Sequence, residues 1–328
     1  MIASAAPISA PRINPAFAQD VMDGLSRSPQ KTLPASWLYD EVGSALFEVI
    51  TVLPEYGLTR ADSALLGRAA EEIIGVAGRP EVIIELGSGT GTKTRHILRA
   101  ASAGGPVDYF PIDISRAALE NCKATLGSMD DVRIEPIEAS YLEGIDQALA
   151  LRRSEERTLI LFLGSTIGNF APDEAESFLR RIRQRVHAKD SLLLGADLVK
   201  PVPRLIAAYD DPLGVTAAFN LNLLARINRE LDGRFDLSRF AHEARYNERQ
   251  SRIEMHLRSR IAQEVRIDGL DMAVSFRAGE TIWTESSYKF RPEALRNTGS
   301  RAGWTSMRQW IDSDWGFAET LFSAAGSL

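Results

Sequence analysis

From position 81 the chain alternates between two textures. Short runs are apolar at nearly every position, and longer stretches carry apolar residues at every third or fourth position. Glu81-Val-Ile-Ile-Glu-Leu86 reads as a strand buried on both faces, followed by a glycine-rich turn and a helix over 94–101. The unit recurs as strand 107–113 with helix 116–126, strand 132–138 with a loop and a short helical stretch, and strand 158–163 with helix 173–186, before a strand over 191–198. This alternation predicts an α/β fold with a doubly wound, parallel sheet. The chain closes differently: 305–311 and 317–322 read as two strands joined by Asp312-Ser-Asp-Trp-Gly316, an antiparallel hairpin. Between these parts, 200–287 reads as an insertion, with an amphipathic stretch over 213–231, alternation over 252–258 and a strand-like run over 281–290. Ligands of open α/β sheets sit beyond the carboxyl ends of the strands. The insertion, with 36–60, is therefore expected to form a lid or second lobe over that edge. The predicted domains are 61–199 plus 288–328, and 15–60 plus 200–287.

The apolar runs are far too short to span a bilayer. Segment 1–17 lacks an early basic region and is interrupted by Pro7 and Pro11, so it reads as a loose arm and not as a secretory signal. Composition narrows the class further. The 328 residues are 45% hydrophobic and 25% charged, and 38 basic against 44 acidic residues leave a net charge of −6. That balance removes the long-range attraction of a nucleic-acid or anionic-membrane binder and favours a small-molecule substrate. Cys122 is the one cysteine, which rules out an intrachain disulfide and a multi-thiolate metal site. The expectation is a cytoplasmic monomer. His96, His187, His242 and His256 fall on predicted helices or on the alternating strand without metal-ligand spacing, so no metal is expected.

The glycine-rich turn, Glu85-Leu-Gly87-Ser88-Gly89-Thr-Gly91-Thr-Lys93, follows a strand and opens a helix, where backbone can approach a ligand and unpaired N–H groups await it. The pattern E-x-G-x-G-x-G is similar to the first binding motif for S-adenosylmethionine (SAM). Dinucleotide-binding folds use G-x-G-x-x-G at the same place, but here the third glycine comes one residue early. Asp113 ends the second strand, 22 residues past Gly91, where a carboxylate accepts from ribose hydroxyls; it could instead cap the next helix, as Ser115 could. Ser140 and Tyr141 follow the third strand, where an adenine ring commonly lies, and Tyr141 could equally be a packing residue. A hairpin closing a parallel sheet also looks like the class I SAM-dependent methyltransferase fold.

Three further segments resemble the family of histidine Nα-methyltransferases, the SAM-dependent enzymes of ergothioneine biosynthesis. They are Tyr39-Asp-Glu-Val-Gly-Ser-Ala-Leu-Phe47 running into Leu53-Pro-Glu-Tyr56-Gly-Leu-Thr-Arg60, Phe162-Leu-Gly-Ser-Thr-Ile-Gly-Asn169-Phe170, and Thr284-Glu285-Ser-Ser287-Tyr-Lys-Phe290. With the SAM motif they span most of the chain. Read as residues alone, Asn169 is either an amide clamp for a substrate or the cap of the following helix. Tyr56 and Tyr209 are either pocket walls with a phenol donor or packing residues. Glu285 and Ser287 share one strand face, so a carboxylate and a hydroxyl there suit the two nitrogens of an imidazole, or else form a surface pair.

The resemblance implies that Tyr56 and Asn169, the catalytic pair, and Tyr209 hold the α-amino and carboxylate groups of L-histidine. It also implies that Glu285 and Ser287 read the imidazole, with Tyr39 beside the ring and Met255 lining the same pocket. Glu85, Gly87, Ser88, Gly89, Lys93, Asp113, Ser140 and Tyr141 are the expected SAM contacts, although Ser140 stands where the family carries an acidic residue. The implied reaction is methylation of the α-amine in three rounds, giving hercynine. Alternatives are the same chemistry on tryptophan or tyrosine, an NAD-dependent Rossmann oxidoreductase, and a noncatalytic SAM-binding regulator. The glycine spacing and the terminal hairpin disfavour the oxidoreductase.

Overall fold

The computed structural model describes residues 14–129, 131–153 and 155–325. Of the stretch 1–17 read as a loose arm, positions 1–13 lie outside the described residues, and the remainder corrects that reading. Asn14 caps a helix, its side-chain oxygen accepting from the N–H of Ala16 and Phe17, with Pro15 preset for the first helical position.

In chain order the elements begin with α1 (Pro15–Leu25), β1 (Lys31–Thr32), α2 (Glu41–Val52), α3 (Gly57–Val76), β2 (Val82–Leu86), α4 (Arg95–Ser102), β3 (Val107–Asp113), α5 (Arg116–Leu126), β4 (Val132–Ile134), β5 (Ile137–Glu138) and α6 (Tyr141–Leu151). Then come β6 (Thr158–Phe162), α7 (Pro172–Arg183), β7 (Ser191–Asp197), α8 (Val202–Tyr209), α9 (Val215–Glu230), β8 (Phe240–Asn247), β9 (Arg252–Ser259), β10 (Gln263–Ile267) and β11 (Met272–Phe276). The last are β12 (Thr281–Tyr288), α10 (Pro292–Arg301), β13 (Thr305–Asp312) and β14 (Phe317–Ser323). Contacts divide the chain into two compact units. One holds the chain through residue 49 with 209–245 and 254–285; the other holds 50–208, 246–253 and 286 onward.

The second unit contains the large sheet, in the order β13-β14-β7-β6-β2-β3-β4, with β5 also pairing β3. Its pairs are parallel from β7 through β6, β2 and β3 to β4 and β5, and β14 runs antiparallel between β7 and β13. Strands β2, β6 and β7 are buried at every position, as apolar runs covered by helices on both faces must be. Alternate residues serve opposite faces. Ile84, Phe110, Phe162 and Leu194 pack with Phe178 and Trp304 on one side, while Ile83, Tyr109, Leu161 and Leu193 pack with Leu66, Ile73 and Leu98 on the other. Each such side chain contributes about 1.5–3 kcal/mol on burial.

Two sequence expectations are corrected here. The strand over 132–138 is two short strands, because Pro136 has no N–H to give the ladder. The short helical stretch after it is the three-turn helix α6. The expected hairpin is present as β13 and β14. The sheet β1-β12-β9-β8 falls mostly in the first unit, with the hairpin β10-β11 and helices α1 and α9, while the end of β8, the start of β9 and the end of β12 count with the second. Among the described residues no helix is long and apolar enough to cross a membrane, and no cluster of three His, Cys, Asp or Glu side chains could hold a metal ion.

Candidate active site

The turn after β2 follows from its glycines. Gly87, Gly89 and Gly91 have φ of +70°, +51° and +68°, conformations that side chains resist. At Gly91 a Cβ would also lie 2.7 Å from Cys122 Sγ and 2.8 Å from Leu126. At Gly89 a Cβ would have nothing within 4 Å, so this turn presents backbone to open space. The acidic residue of the motif works beneath it. Glu85 is buried; the Thr94 hydroxyl lies 2.8 Å from both its carboxylate oxygens, and the Tyr109 hydroxyl donates to it as well. Burial pushes the Glu85 carboxyl up to about 7, against the opposing pull of those hydroxyls and of Lys93.

Lys93 pairs with Asp62 of α3 at 2.6 Å, and the same Asp62 oxygen accepts from the N–H of Gly164 at 3.0 Å. Burial works against the Lys93 charge, but Asp62, Glu85 and Glu319 outweigh it and hold the ammonium above its ordinary value. Glu319, on β14, is fully buried, and burial with the nearby Asp62 charge raises its carboxyl far above the usual range.

Asp113 at the end of β3 is not the helix cap, because Ser115 Oγ accepts from Ala118 N and caps α5. Asp113 Oδ1 accepts from Ser115 N at 2.9 Å and Oδ2 from Gly89 N at 3.3 Å, so this half-buried carboxylate is aimed along the glycine turn. Burial raises its carboxyl, and these backbone bonds partly offset the rise. Ser140 is exposed and donates to Glu143 at 2.6 Å. Tyr141 packs edge-on against Phe162, and its hydroxyl lies 3.3 Å from where a Gly87 Cβ would stand; burial lifts its phenol to about 12.

After β6 the chain turns through Gly164 and Ser165, at φ of +71° and +63°. Ser165 holds this conformation because its Oγ accepts from Asp197 N at 2.9 Å. The turn delivers Asn169, exposed, to the end of a short 3-10 helix. Capping of α7 by Asn169 is overturned: Ala171 is the cap residue, and Glu174 accepts its N–H. Tyr56 is buried at the N-terminus of α3, and Arg60 ties the preceding loop by donating to Leu53 O and Pro54 O, both at 2.6 Å.

In the first unit, Tyr39 sits edge-on to Phe47 and Phe219. Asp40 beside it accepts from Gly43 N and from Asn222, each at 2.7 Å. His242 braces Tyr209. Its Nε2 lies 2.7 Å from the Tyr209 carbonyl and therefore donates, while Nδ1 accepts from Asn220 at 3.0 Å. Burial holds His242 below its ordinary pKa, consistent with a neutral ring. Asn220 Oδ1 in turn accepts from Thr284, the neighbour of Glu285, and the Thr284 hydroxyl also lies 3.0 Å from the Met255 carbonyl. His242, Asn220 and Thr284 thus connect the backbone carbonyls of two candidate substrate residues, Tyr209 and Met255. His187, expected on a helix, lies in the loop after α7. Glu285 and Ser287 are both buried on β12, and Lys289 donates to Ser287 Oγ at 2.8 Å.

Asp62, Asp197, His242 and Lys289 carry no role in the sequence reading, since a lone buried polar residue leaves no periodic trace. Lys289 had a signal in T-E-x-S-x-K-F, and the others had none.

A parallel sheet closed by an antiparallel hairpin, left-handed glycines after the first strand and a carboxylate ending the second define a class I methyltransferase whose methyl donor is SAM. The donor's fit rests on the open face of Gly89 and the acceptor Asp113 beside it. More narrowly, the chain belongs to the family of histidine-specific, SAM-dependent methyltransferases, whose model matches residues 17–324. It is 43% identical over 308 residues to the histidine N-alpha-methyltransferase of Mycolicibacterium smegmatis, covering 93% of this chain and 94% of that one. Identity to the Mycobacterium tuberculosis histidine N-alpha-methyltransferase is 44% over the same shares. The ergothioneine biosynthesis protein 1 of Neurospora crassa is 32% identical over 285 residues, covering 85% of this chain and 32% of that longer one.

Proposed function

We propose that this protein transfers methyl groups from SAM to the α-amine of L-histidine, in three successive rounds that yield N,N,N-trimethylhistidine (hercynine), as a monomer in the cytoplasm. The observation that carries this reading is full-length similarity to histidine N-alpha-methyltransferases together with the intact Thr284-Glu285-Ser-Ser287 segment. The likeness to a protein of ergothioneine biosynthesis supports trimethylation as the endpoint.

In this reading 61–199 with 288–328 carries the donor, and 15–60 with 200–287 carries the acceptor. Gly87, Ser88, Gly89, Lys93, Asp113, Ser140 and Tyr141 hold SAM, and Glu85 braces the turn from below. Tyr56 and Asn169 hold the amine, Tyr209 the carboxylate, and Glu285, Ser287, Tyr39 and Met255 the imidazole. SAM supplies a methyl group on a sulfonium, so a carbon–nitrogen bond forms as a carbon–sulfur bond breaks. The charge passes to nitrogen, and the proton that the ammonium loses goes to solvent. No acid is needed at the leaving sulfur. The residues contribute by orientation, which supplies on the order of 7–11 kcal/mol when reactants are held in line. An Asn169 amide oxygen accepting an amine N–H would point the nitrogen lone pair away from that bond.

Mass spectrometry of histidine incubated with the protein and SAM tests the proposal. One, two and three added methyl groups are expected in sequence. Tryptophan or tyrosine methylated in preference to histidine would overturn the substrate, and accumulation of a monomethyl product would overturn the endpoint.

A further inference from the structure

Three buried carboxyl groups, those of Asp62, Glu85 and Glu319, crowd one ammonium, that of Lys93. Glu319 stands opposite Gly195 in the pairing of β14 with β7, and a Cβ on Gly195 would lie 2.8 Å from Glu319 Oε1 and 3.3 Å from Gly164 N. Gly195 has no left-handed φ, so glycine serves here to admit a close neighbour. The recess it leaves takes a carboxyl group. Asp62 and Glu319 are both 0% exposed, and Glu319 lies within hydrogen-bonding reach of Asp62. Yet Asp62 Oδ1 and both Glu319 oxygens are buried without a donor among the described residues, because two carboxylates can only accept.

One hydrogen resolves the mismatch. Placed on Glu319 and directed at Asp62 Oδ1, it gives that oxygen a donor and leaves the second Glu319 oxygen as a neutral carbonyl, whose burial costs less than a carboxylate's. The surrounding bonds decide which residue carries it. Asp62 Oδ2 accepts from the Lys93 ammonium at 2.6 Å and from Gly164 N at 3.0 Å, donors that favour a charge on Asp62, whereas Glu319 has none among the described residues. Burial and the Asp62 charge both act to keep the proton on Glu319. Lys93 in turn reaches across to the turn after β6, its Nζ standing 2.9 Å from where a Gly164 Cβ would lie. With one donor spent on Asp62 and its side chain 23% exposed, the ammonium keeps its other hydrogens for a ligand. They suit a carboxylate, and the α-carboxylate is the one anionic group of SAM.

We propose that Asp62 and Glu319 share a single proton, carried by Glu319 and donated to Asp62 Oδ1, and that Glu319 is thereby a positioning residue: by holding Asp62 it fixes Lys93 and the Gly164 backbone for the carboxylate of the methyl donor. The positioning role rests on the reading that Lys93 is a SAM contact. Being fully buried, Glu319 acts through Asp62 and not by touching the donor. The charged groups facing it are Asp62 on α3, Lys93 in the turn after β2 and Glu85 on β2. An ionised Glu319 would add a carboxylate to a cluster that already holds more acids than cations, which repels the donor's carboxylate and loosens Asp62.

Infrared difference spectroscopy at about pH 8, where Glu85 is largely ionised, tests the proton. Subtracting the spectrum of Glu319→Gln from that of the wild type should leave the carbonyl band of a protonated carboxylic acid, a signature that packing alone does not produce. Carboxylate bands in its place overturn the inference, whatever the protein binds. Calorimetry with SAM tests the role. Glu319→Gln, whose amide donates to Asp62 as the acid does, should bind SAM within about threefold of the wild type, and Glu319→Leu, similar in size but without a donor, should bind it roughly tenfold or more weakly. Undiminished affinity in Glu319→Leu, or a loss in Glu319→Gln equal to it, overturns the positioning role. Should Glu319→Leu fail to fold, the infrared bands and the affinity of Glu319→Gln decide. Absence of SAM binding by the wild type overturns the donor reading and the positioning role with it, while the bands still report the shared proton.

Discussion

Lys93, in the glycine-rich turn, and Asp62, in α3, form a 2.6 Å ion pair whose aspartate oxygen also receives the backbone N–H of Gly164. The loops that follow β2 and β6 are thereby fastened to one buried carboxylate. Removing one partner of a buried pair strands the other charge, which costs about 3–5 kcal/mol. Lys93 is partly exposed, so Asp62→Asn should fall near the lower bound, and it should weaken SAM binding as the turn loosens. Urea unfolding with SAM calorimetry checks both. Lys93→Met added to Asp62→Asn should recover part of the stability; failure to recover would mean that the pair is not the source of the loss.

Glu85 predicts a pH dependence of stability. Its carboxyl titrates near 4.5 when exposed and near 7 in the folded chain, chiefly through burial. A raised folded pKa means that the folded state binds the proton more tightly. The stability so gained is fully present below 4.5 and is lost as pH rises through about 7, a change on the order of 3 kcal/mol. Glu85→Gln keeps the shape without the titration. Between pH 4.5 and 8 the wild type should lose stability relative to this variant, and parallel denaturation curves would show that Glu85 does not carry the burden.

The two kinds of signal in the chain were not equally readable. Strands β2, β6 and β7 announce themselves because burial on both faces leaves continuous apolar runs, and the terminal hairpin because its linker is rich in turn formers. The motifs also marked the surroundings of Tyr56, Asn169 and Glu285. What sequence could not convey is which partner a polar residue meets across the fold. His242 is 33 residues from Tyr209 and 22 from Asn220, yet it bonds to both. Asp197 is 92 residues from Lys289. Such pairings follow from sheet order, which local periodicity does not contain.

Asp113 should be felt in SAM affinity alone. Its carboxylate already orders the turn through Gly89 N, and in the ribose role it would accept further hydrogen bonds. Charge-assisted bonds of this kind are worth about 1.5–3 kcal/mol, so Asp113→Ala should weaken SAM binding by roughly 10- to 100-fold. Calorimetry giving undiminished affinity would remove the ribose assignment.

Glu285→Ala should separate the two ligands. SAM affinity should stay within about twofold, while histidine loses one charge-assisted bond, about 1.5–3 kcal/mol in kcat/KM, and with it the preference over other amino acids. The informative measurement is the ratio of kcat/KM for histidine to that for tryptophan. An unchanged ratio would remove Glu285 from ring recognition.

Gly57 offers a purely steric test of how Tyr56 is placed. A Cβ on Gly57 would lie 2.2 Å from Cε3 of Trp315, inside any permitted contact, and Trp315 cannot retreat easily. Its Nε1 is bonded to Asp197, and Lys200 and Arg204 lie over its ring at 4.2 and 4.4 Å. The strain must therefore be absorbed by the N-terminus of α3, where Tyr56 precedes the helix. Overpacking of this kind costs about 1–3 kcal/mol, although alanine is otherwise the better helix former. Gly57→Ala should lower the unfolding free energy by that amount and, by displacing Tyr56, reduce kcat/KM for histidine more than it reduces SAM affinity. Trp315→Leu in the same chain makes room for the added methyl group while losing the Asp197 bond. Partial recovery of kcat/KM in the double variant relative to the sum of the singles would locate the effect in this contact, whereas strictly additive losses would place the control of Tyr56 elsewhere.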